Sequence, residues 1–399
     1  TARNWLNAGV TERMVDCLRA LGVPIQIDPT GPGRATLTVQ GRGLHGLTPP
    51  SAPLFCGGSA TTMRLLMGLL ATQPFTAVLD GHEGLRRRPM ERIAKPLRLM
   101  GATIHTTDGH APVTITGGPL HGIDYEMPVA SAQLQTAVLL AALGADGPTI
   151  LRQPGPARDH TLRFLHGQGA QISESNGLIR FDPAGFRPRP FDITVPGDMS
   201  SAAFLLVAGL TVPHSEIRLL GVNINPTRAG LLDVLQQMGG HIQAENIRHE
   251  GGEPVADLTV SASSLQGTTV QGEVVVRMID EFPVFTVAAL HARGRTLVRD
   301  AAELRAKESD RIDAVVAEFS RLGARITPHP DGFEIEGPQT LSGGTVSSHR
   351  DHRLAMSLAV AGLSAGGPVI IEDAQEIGES FPGFVDALRS LGAQIEEKD

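Results

Sequence analysis

Three short runs in the chain concentrate guanidinium and carboxylate groups. Leu85-Arg86-Arg87-Arg88-Pro89 carries three arginines in a row, and Lys307-Glu308-Ser309-Asp310-Arg311 and Arg350-Asp351-His352-Arg353 mix cations with carboxylates. Guanidinium grips a carboxylate or phosphate through two parallel hydrogen bonds. A neighbouring carboxylate can orient it or carry a proton. Such a set suits chemistry on a phosphorylated, carboxylated small molecule. Read singly, each run is an ordinary solvated charge cluster or helix cap. Their positions argue otherwise, because they accompany a second series of small polar openings. These are Gly57-Gly58-Ser59-Ala60-Thr61-Thr62-Met63-Arg64, Ser131-Ala132-Gln133, Asp198-Met199-Ser200-Ser201 and Asp280-Glu281. Each stands just ahead of an apolar stretch, where the N–H groups of a helix N-terminus favour an anion.

Composition narrows the field. The chain has 399 residues, 41% hydrophobic and 19% charged, which fits a globular enzyme of two or three domains. Aromatics make up 4%, with one Trp and one Tyr, too few for base-stacking platforms. The net charge of −8 argues against a general affinity for nucleic acid or anionic membrane. Cys17 and Cys56 form no metal-spaced cluster, so we expect buried free thiols in a reducing cytoplasm and no metal. No 18-residue apolar run and no signal-peptide pattern occurs.

The elements that must position these residues follow from a repeat. One phrase, a helix end followed by Gly and then a strand, recurs six times, with its glycine at positions 22, 101, 169, 239, 323 and 392. It reads LRALGVPI at Leu18 to Ile25 and LRLMGATI at Leu97 to Ile104. Glycine there predicts a left-handed helix C-cap leading into a strand. Between the phrases lie helices apolar on nearly every face: Thr61–Thr72, Ser131–Leu143, Ser200–Leu210, Asp280–Leu290 and Asp351–Leu363. A helix apolar all round is buried on all sides, so each domain should hold such helices at its centre with strands outside. Six phrases accompany five inner helices. We therefore expect the first repeat to lack its opening strand and helix. Three repeats per domain place a boundary near Pro196-Gly197, giving domains 1–196 and 197–399.

Glu303 to Arg311, Asp351 to Arg353, Ser131 to Gln133 and the Ala60 to Arg64 helix together resemble the EPSP synthase family, the 3-phosphoshikimate 1-carboxyvinyltransferases, over nearly the whole chain. The resemblance implies a fold class of α/β type, a two-domain inside-out α/β barrel (the enolpyruvyl transferase fold) built from six βαβαββ repeats, with the active site in the interdomain cleft. It implies transfer of the enolpyruvyl group of phosphoenolpyruvate to the 5-hydroxyl of shikimate-3-phosphate, without metal or organic cofactor, by a cytoplasmic monomer. Arg88, Gln133, Arg311 and Arg353 would bind phosphoenolpyruvate, beside Ala60. Ser131, Ala132, Gln133, Asp280 and Lys307 would bind shikimate-3-phosphate. Asp280 would face the attacked hydroxyl and Glu308 would deliver the proton to the methylene carbon.

Two departures carry expectations. Ala60 stands where family members sensitive to glyphosate have glycine, so tolerance to that inhibitor is expected. The family's Lys-Ser…Arg signature has no counterpart in this chain, so poor turnover of the chain as it stands is expected. The alternatives are a non-catalytic fragment that binds anions, and the sister enzyme acting on UDP-N-acetylglucosamine. That sister carries a catalytic cysteine in a loop where neither Cys17 nor Cys56 lies.

Overall fold

A computed structural model describes residues 1–398. Two compact units divide the chain, Thr1–Val195 and Pro196–Asp399. Eleven helices carry the repeat, and outer and inner ones alternate. In the first unit they are α1 (Gly9–Ala20), α2 (Ala60–Ala71), α3 (Glu91–Leu99), α4 (Ala132–Ala142) and α5 (His160–Gly167). In the second they are α6 (Met199–Thr211), α7 (Gly230–Gln237), α8 (Phe282–His291), α9 (Arg311–Arg321), α10 (His352–Gly362) and α11 (Phe384–Ser390). The even-numbered members α2, α4, α6, α8 and α10 are the apolar inner helices, and almost every side chain of α6 and α8 is buried. Among the described residues the first unit thus holds two inner helices and the second three.

Every outer helix ends in the same way. The six phrase glycines have φ between 84° and 115°. In each case the residue after the glycine donates to the carbonyl five residues back, as Val23 does to Leu18 and Ala324 to Phe319. The glycine itself donates three back, as Gly22 does to Arg19 and Gly323 to Ser320. This is the Schellman closure, and the left-handed φ it needs is what glycine supplies without strain. The phrase is therefore a physical unit that stops a helix and aims the chain into a strand.

The strands also repeat a pattern. Leu54–Phe55 runs parallel to Thr76–Asp80, which pairs antiparallel with His110–Thr116 and through it with Thr103–Thr107. The same order appears with Thr269–Val270, Gly294–Val298, Gly332–Gly337 and Ile326–His329. In the first sheet the parallel place is filled from the far end of the unit. Ile193–Thr194 lies beside Ala2–Leu6, which pairs with Arg34–Val39. Each unit keeps its own apolar core around its inner helices.

Close helix contact in the first unit depends on Gly68 of α2. A Cβ there would lie 2.1 Å from the Ala137 carbonyl oxygen of α4. Ala forms helix more readily than Gly, yet Gly68→Ala is expected to destabilise the protein by about 1–3 kcal/mol through overpacking. Urea unfolding checks this, and an unchanged or raised midpoint would contradict the packing.

Candidate active site

In the second unit the N-terminal ends of α8, α9 and α10 bring the charged motifs together. Asp280, in the turn before α8, is the hub. Its Oδ1 lies 3.5 Å from Arg311 Nη1 and 3.8 Å from Lys307 Nζ, and its Oδ2 lies 3.9 Å from Arg353 Nη2. Three cations therefore surround one carboxylate. Arg311 opens α9 and is 2% exposed. Its Nε donates to Asp351 Oδ2 at 2.7 Å, and its Nη2 donates to Asp351 Oδ1 at 3.2 Å and to Glu308 Oε2 at 2.8 Å. Its Nη1 is buried and donates no hydrogen bond. A buried donor in that state costs free energy until something accepts from it. Burial works against the Arg311 charge, but Asp351, Glu308 and Asp280 outweigh it and its pKa is raised.

Asp351 is fully buried and caps α10, accepting from the Arg353 backbone N–H at 3.0 Å. Burial pushes its carboxyl up, but Arg311 prevails and its pKa lies below the usual carboxylate value. His349 and Arg350, just ahead, have φ of 52° and 57°, and the buried Ser348 hydroxyl bridges the Asp373 carbonyl and the Arg350 N–H. Two consecutive left-handed non-glycine residues hold strain of the kind that fixes site geometry. They turn the chain so that Asp351 faces Arg311. His352 is pushed down to about 4 by burial and by Arg353, and is neutral at neutral pH.

The first unit supplies another basic cluster at the starts of α2 and α4. Arg64 is 4% exposed, donating through Nη1 to Gln133 Oε1 at 2.5 Å and through Nη2 to the Pro89 carbonyl at 2.9 Å. Gln133 Nε2 in turn donates to Thr61 Oγ1 at 2.7 Å. Burial, reinforced by Arg92 and Arg88, lowers Arg64 to about 10. Arg86 and Arg87 are instead committed to Asp80 and Glu83 at the surface, so of the triplet only half-buried Arg88 joins the cluster. Ser131, Ala132 and Gln133 lie together at the start of α4, and Ala60 is the first residue of α2, nearly covered.

Bare helix ends contribute less than the sequence led us to expect. Ser59, Ser131, Asp198 and Asp351 each accept from a backbone N–H of their own helix, which uses groups an anion would want. Each cap takes one N–H of its helix start, and the guanidinium and ammonium groups add the charge that an anion needs. Arg64 and Glu281 lie in the two charged clusters but have no role of their own in the sequence analysis. Their signals were present: Arg64 is the one charged residue in an otherwise apolar helix, and Glu281 adjoins Asp280 at a helix start. Both are buried, at 4% and 2% exposure.

Repeated βαβαββ units around buried helices, with clustered arginines near the helix starts, define a protein suited to holding anionic small molecules. Similarity to known proteins makes the class specific. The sequence model described as EPSP synthase (3-phosphoshikimate 1-carboxyvinyltransferase) matches residues 1–388. A 3-phosphoshikimate 1-carboxyvinyltransferase of Desulforudis audaxviator is 48% identical over 98% of this chain and 90% of its own length. One from Geobacter sp. strain M21 is 50% identical over 94% and 86%. The EPSP synthase structure from Acinetobacter baumannii superposes with a TM-score of 0.89 at 42% identity, covering 96% of this chain and 88% of that one. The enolpyruvyl transferase NikO of Streptomyces tendae, at 19% identity and a TM-score of 0.76, shares the fold. This chain belongs to the EPSP synthase family.

Among the described residues no helix is long and apolar enough to cross a membrane.

Proposed function

We propose that this protein transfers the enolpyruvyl group of phosphoenolpyruvate to the 5-hydroxyl of shikimate-3-phosphate, releasing phosphate, as a cytoplasmic monomer that needs no cofactor. The observation that carries the reading is Asp280 among Arg311, Lys307 and Arg353, with the buried Arg311 Nη1 hydrogen-bonding to nothing. A carboxylate that can take a proton stands beside three cations that can hold a phosphate and a carboxylate. Arg88, Gln133, Arg311 and Arg353 hold phosphoenolpyruvate, while Ser131, Ala132, Gln133 and Lys307 hold shikimate-3-phosphate. Asp280 takes the proton of the 5-hydroxyl as its oxygen adds to the enol carbon. Glu308 protonates the methylene, and loss of a proton from the new methyl with departure of phosphate by C–O cleavage restores the enol ether. Glu308 already shares the Arg311 guanidinium.

Phosphate release that depends on both substrates tests the reading, and release at equal rate with phosphoenolpyruvate alone would refute it.

Ala60 adds a prediction about inhibition. It opens α2 and is 6% exposed, so its methyl fills space that glycine would leave open. Glyphosate, longer than phosphoenolpyruvate, should be crowded there. Ala60→Gly is expected to tighten glyphosate inhibition by about tenfold or more, the order of one methyl-sized steric contact, and to lower the KM for phosphoenolpyruvate slightly. Inhibition constants for the two proteins check this, and equal values would refute the steric account.

A further inference from the structure

We propose that Glu281 is a positioning residue for the transfer reaction: it holds the Arg353 guanidinium in line for the phosphoenolpyruvate anion and is itself fixed by Ser200 and Arg228. The inference rests on the assignment of Arg353 to that substrate. Glu281 is 2% exposed, and the Ser200 hydroxyl, at the start of α6, donates to its Oε1. Arg228 Nη2, ahead of α7, donates to Ser200 Oγ at 2.6 Å and to Asp198 Oδ1 at 2.7 Å. On the other side Arg353 Nη1 lies 3.9 Å from the same Oε1, and Arg353 Nη2 lies 3.9 Å from Asp280 Oδ2. Three helix starts, those of α6, α8 and α10, are thus joined through one carboxylate.

The two distances to Arg353 matter. At 3.9 Å a carboxylate attracts a guanidinium but does not take its hydrogens. Arg353 is therefore held between adjacent carboxylates while its donors remain available to a third anion. A direct pair would have consumed them, as Asp351 consumes two donors of Arg311. Burying a carboxylate is costly, and packing alone would be served as well by an apolar side chain. Burial does push Glu281 upward, against the pull of Arg228 and Arg353. A carboxyl group buried this deeply accordingly needs a reason other than stability, and orientation of Arg353 supplies one.

Glu281→Gln preserves shape and replaces the carboxyl group by an amide that can never carry a negative charge. It is expected to raise the KM for phosphoenolpyruvate, and the phosphoenolpyruvate concentration that half-saturates a single turnover at saturating shikimate-3-phosphate, by about tenfold or more, with kcat changed less than about threefold. Shikimate-3-phosphate binding should stay within about twofold, since a positioning effect is confined to one substrate. Ser200→Ala keeps the carboxyl group and loosens its tether, so it should weaken phosphoenolpyruvate binding in the same sense but less, and it carries the test should Glu281→Gln fail to fold. Unchanged phosphoenolpyruvate affinity in the folded variants, or an equal loss for both substrates, overturns the inference. Arg353→Ala measured alongside separates the two ideas. If that variant binds phosphoenolpyruvate normally, the assignment of Arg353 fails; if it binds poorly while Glu281→Gln binds normally, only the role of Glu281 fails.

Discussion

Arg353→Ala is expected to lower kcat/KM for phosphoenolpyruvate by roughly 10²–10⁴, since a hydrogen bond to a charged group is worth about 1.5–3 kcal/mol and guanidinium can make two. Arg353 is suited to this loss because Asp280 and Glu281 hold it at 3.9 Å without taking its donors. Removal of the side chain also leaves both carboxylates facing each other without their shared cation. Lysine should recover only part of the activity, because an ammonium cannot make the paired contact. Steady-state kinetics with phosphoenolpyruvate varied will check this, and an unchanged kcat/KM would remove Arg353 from the site.

Arg311→Met should act on stability as well as turnover. Arg311 is 2% exposed and Asp351 is fully buried, so deleting the cation leaves an uncompensated charge in the interior. Breaking such a pair from one side costs about 3–5 kcal/mol, a large share of a total stability of about 5–15 kcal/mol. The linkage to pH has a definite sign. The folded Asp351 carboxyl is depressed. Its contribution is therefore present above the unfolded value of about 4 and is lost as pH falls through the lower, folded one. The wild-type protein should lose stability in that acid window, and Arg311→Met should lose less of its remaining stability there. Urea midpoints from neutral pH downward will show it; parallel pH curves for the two proteins would contradict the pairing.

The sequence carried the repeat because its signals are local. A glycine closing an amphipathic helix and a helix apolar on all faces are both properties of a dozen consecutive residues. The inner helices accordingly begin within two residues of where the pattern placed them: Ala60 against Thr61, His352 against Asp351, and Phe282 against Asp280. What stayed hidden depends on distant partners. The first sheet takes its parallel strand from Ile193–Thr194, on which nothing near Ala2 bears. Glu281 is bonded by Ser200, 81 residues away in sequence. Arg64 has no role of its own in the sequence pattern, because its partner Gln133, which accepts from it, lies 69 residues on. The arginine triplet shows the same limit. Arg86 and Arg87 look equivalent to Arg88 in sequence, yet local pairing with Asp80 and Glu83 settles them at the surface. The serine and aspartate caps that each take one N–H of their own helix are likewise seen only in the folded chain.

The position of bond cleavage tests the central claim most directly. Phosphoenolpyruvate labelled with ¹⁸O in the oxygen that bridges carbon and phosphorus is incubated with the protein and shikimate-3-phosphate. Both products are then analysed by mass spectrometry. Attack of the 5-hydroxyl on the enol carbon, with phosphate leaving from that carbon, sends the label into the released phosphate. Label left on the three-carbon fragment, or an unlabelled phosphate product, would mean that the P–O bond breaks and that this site does not perform enolpyruvyl transfer.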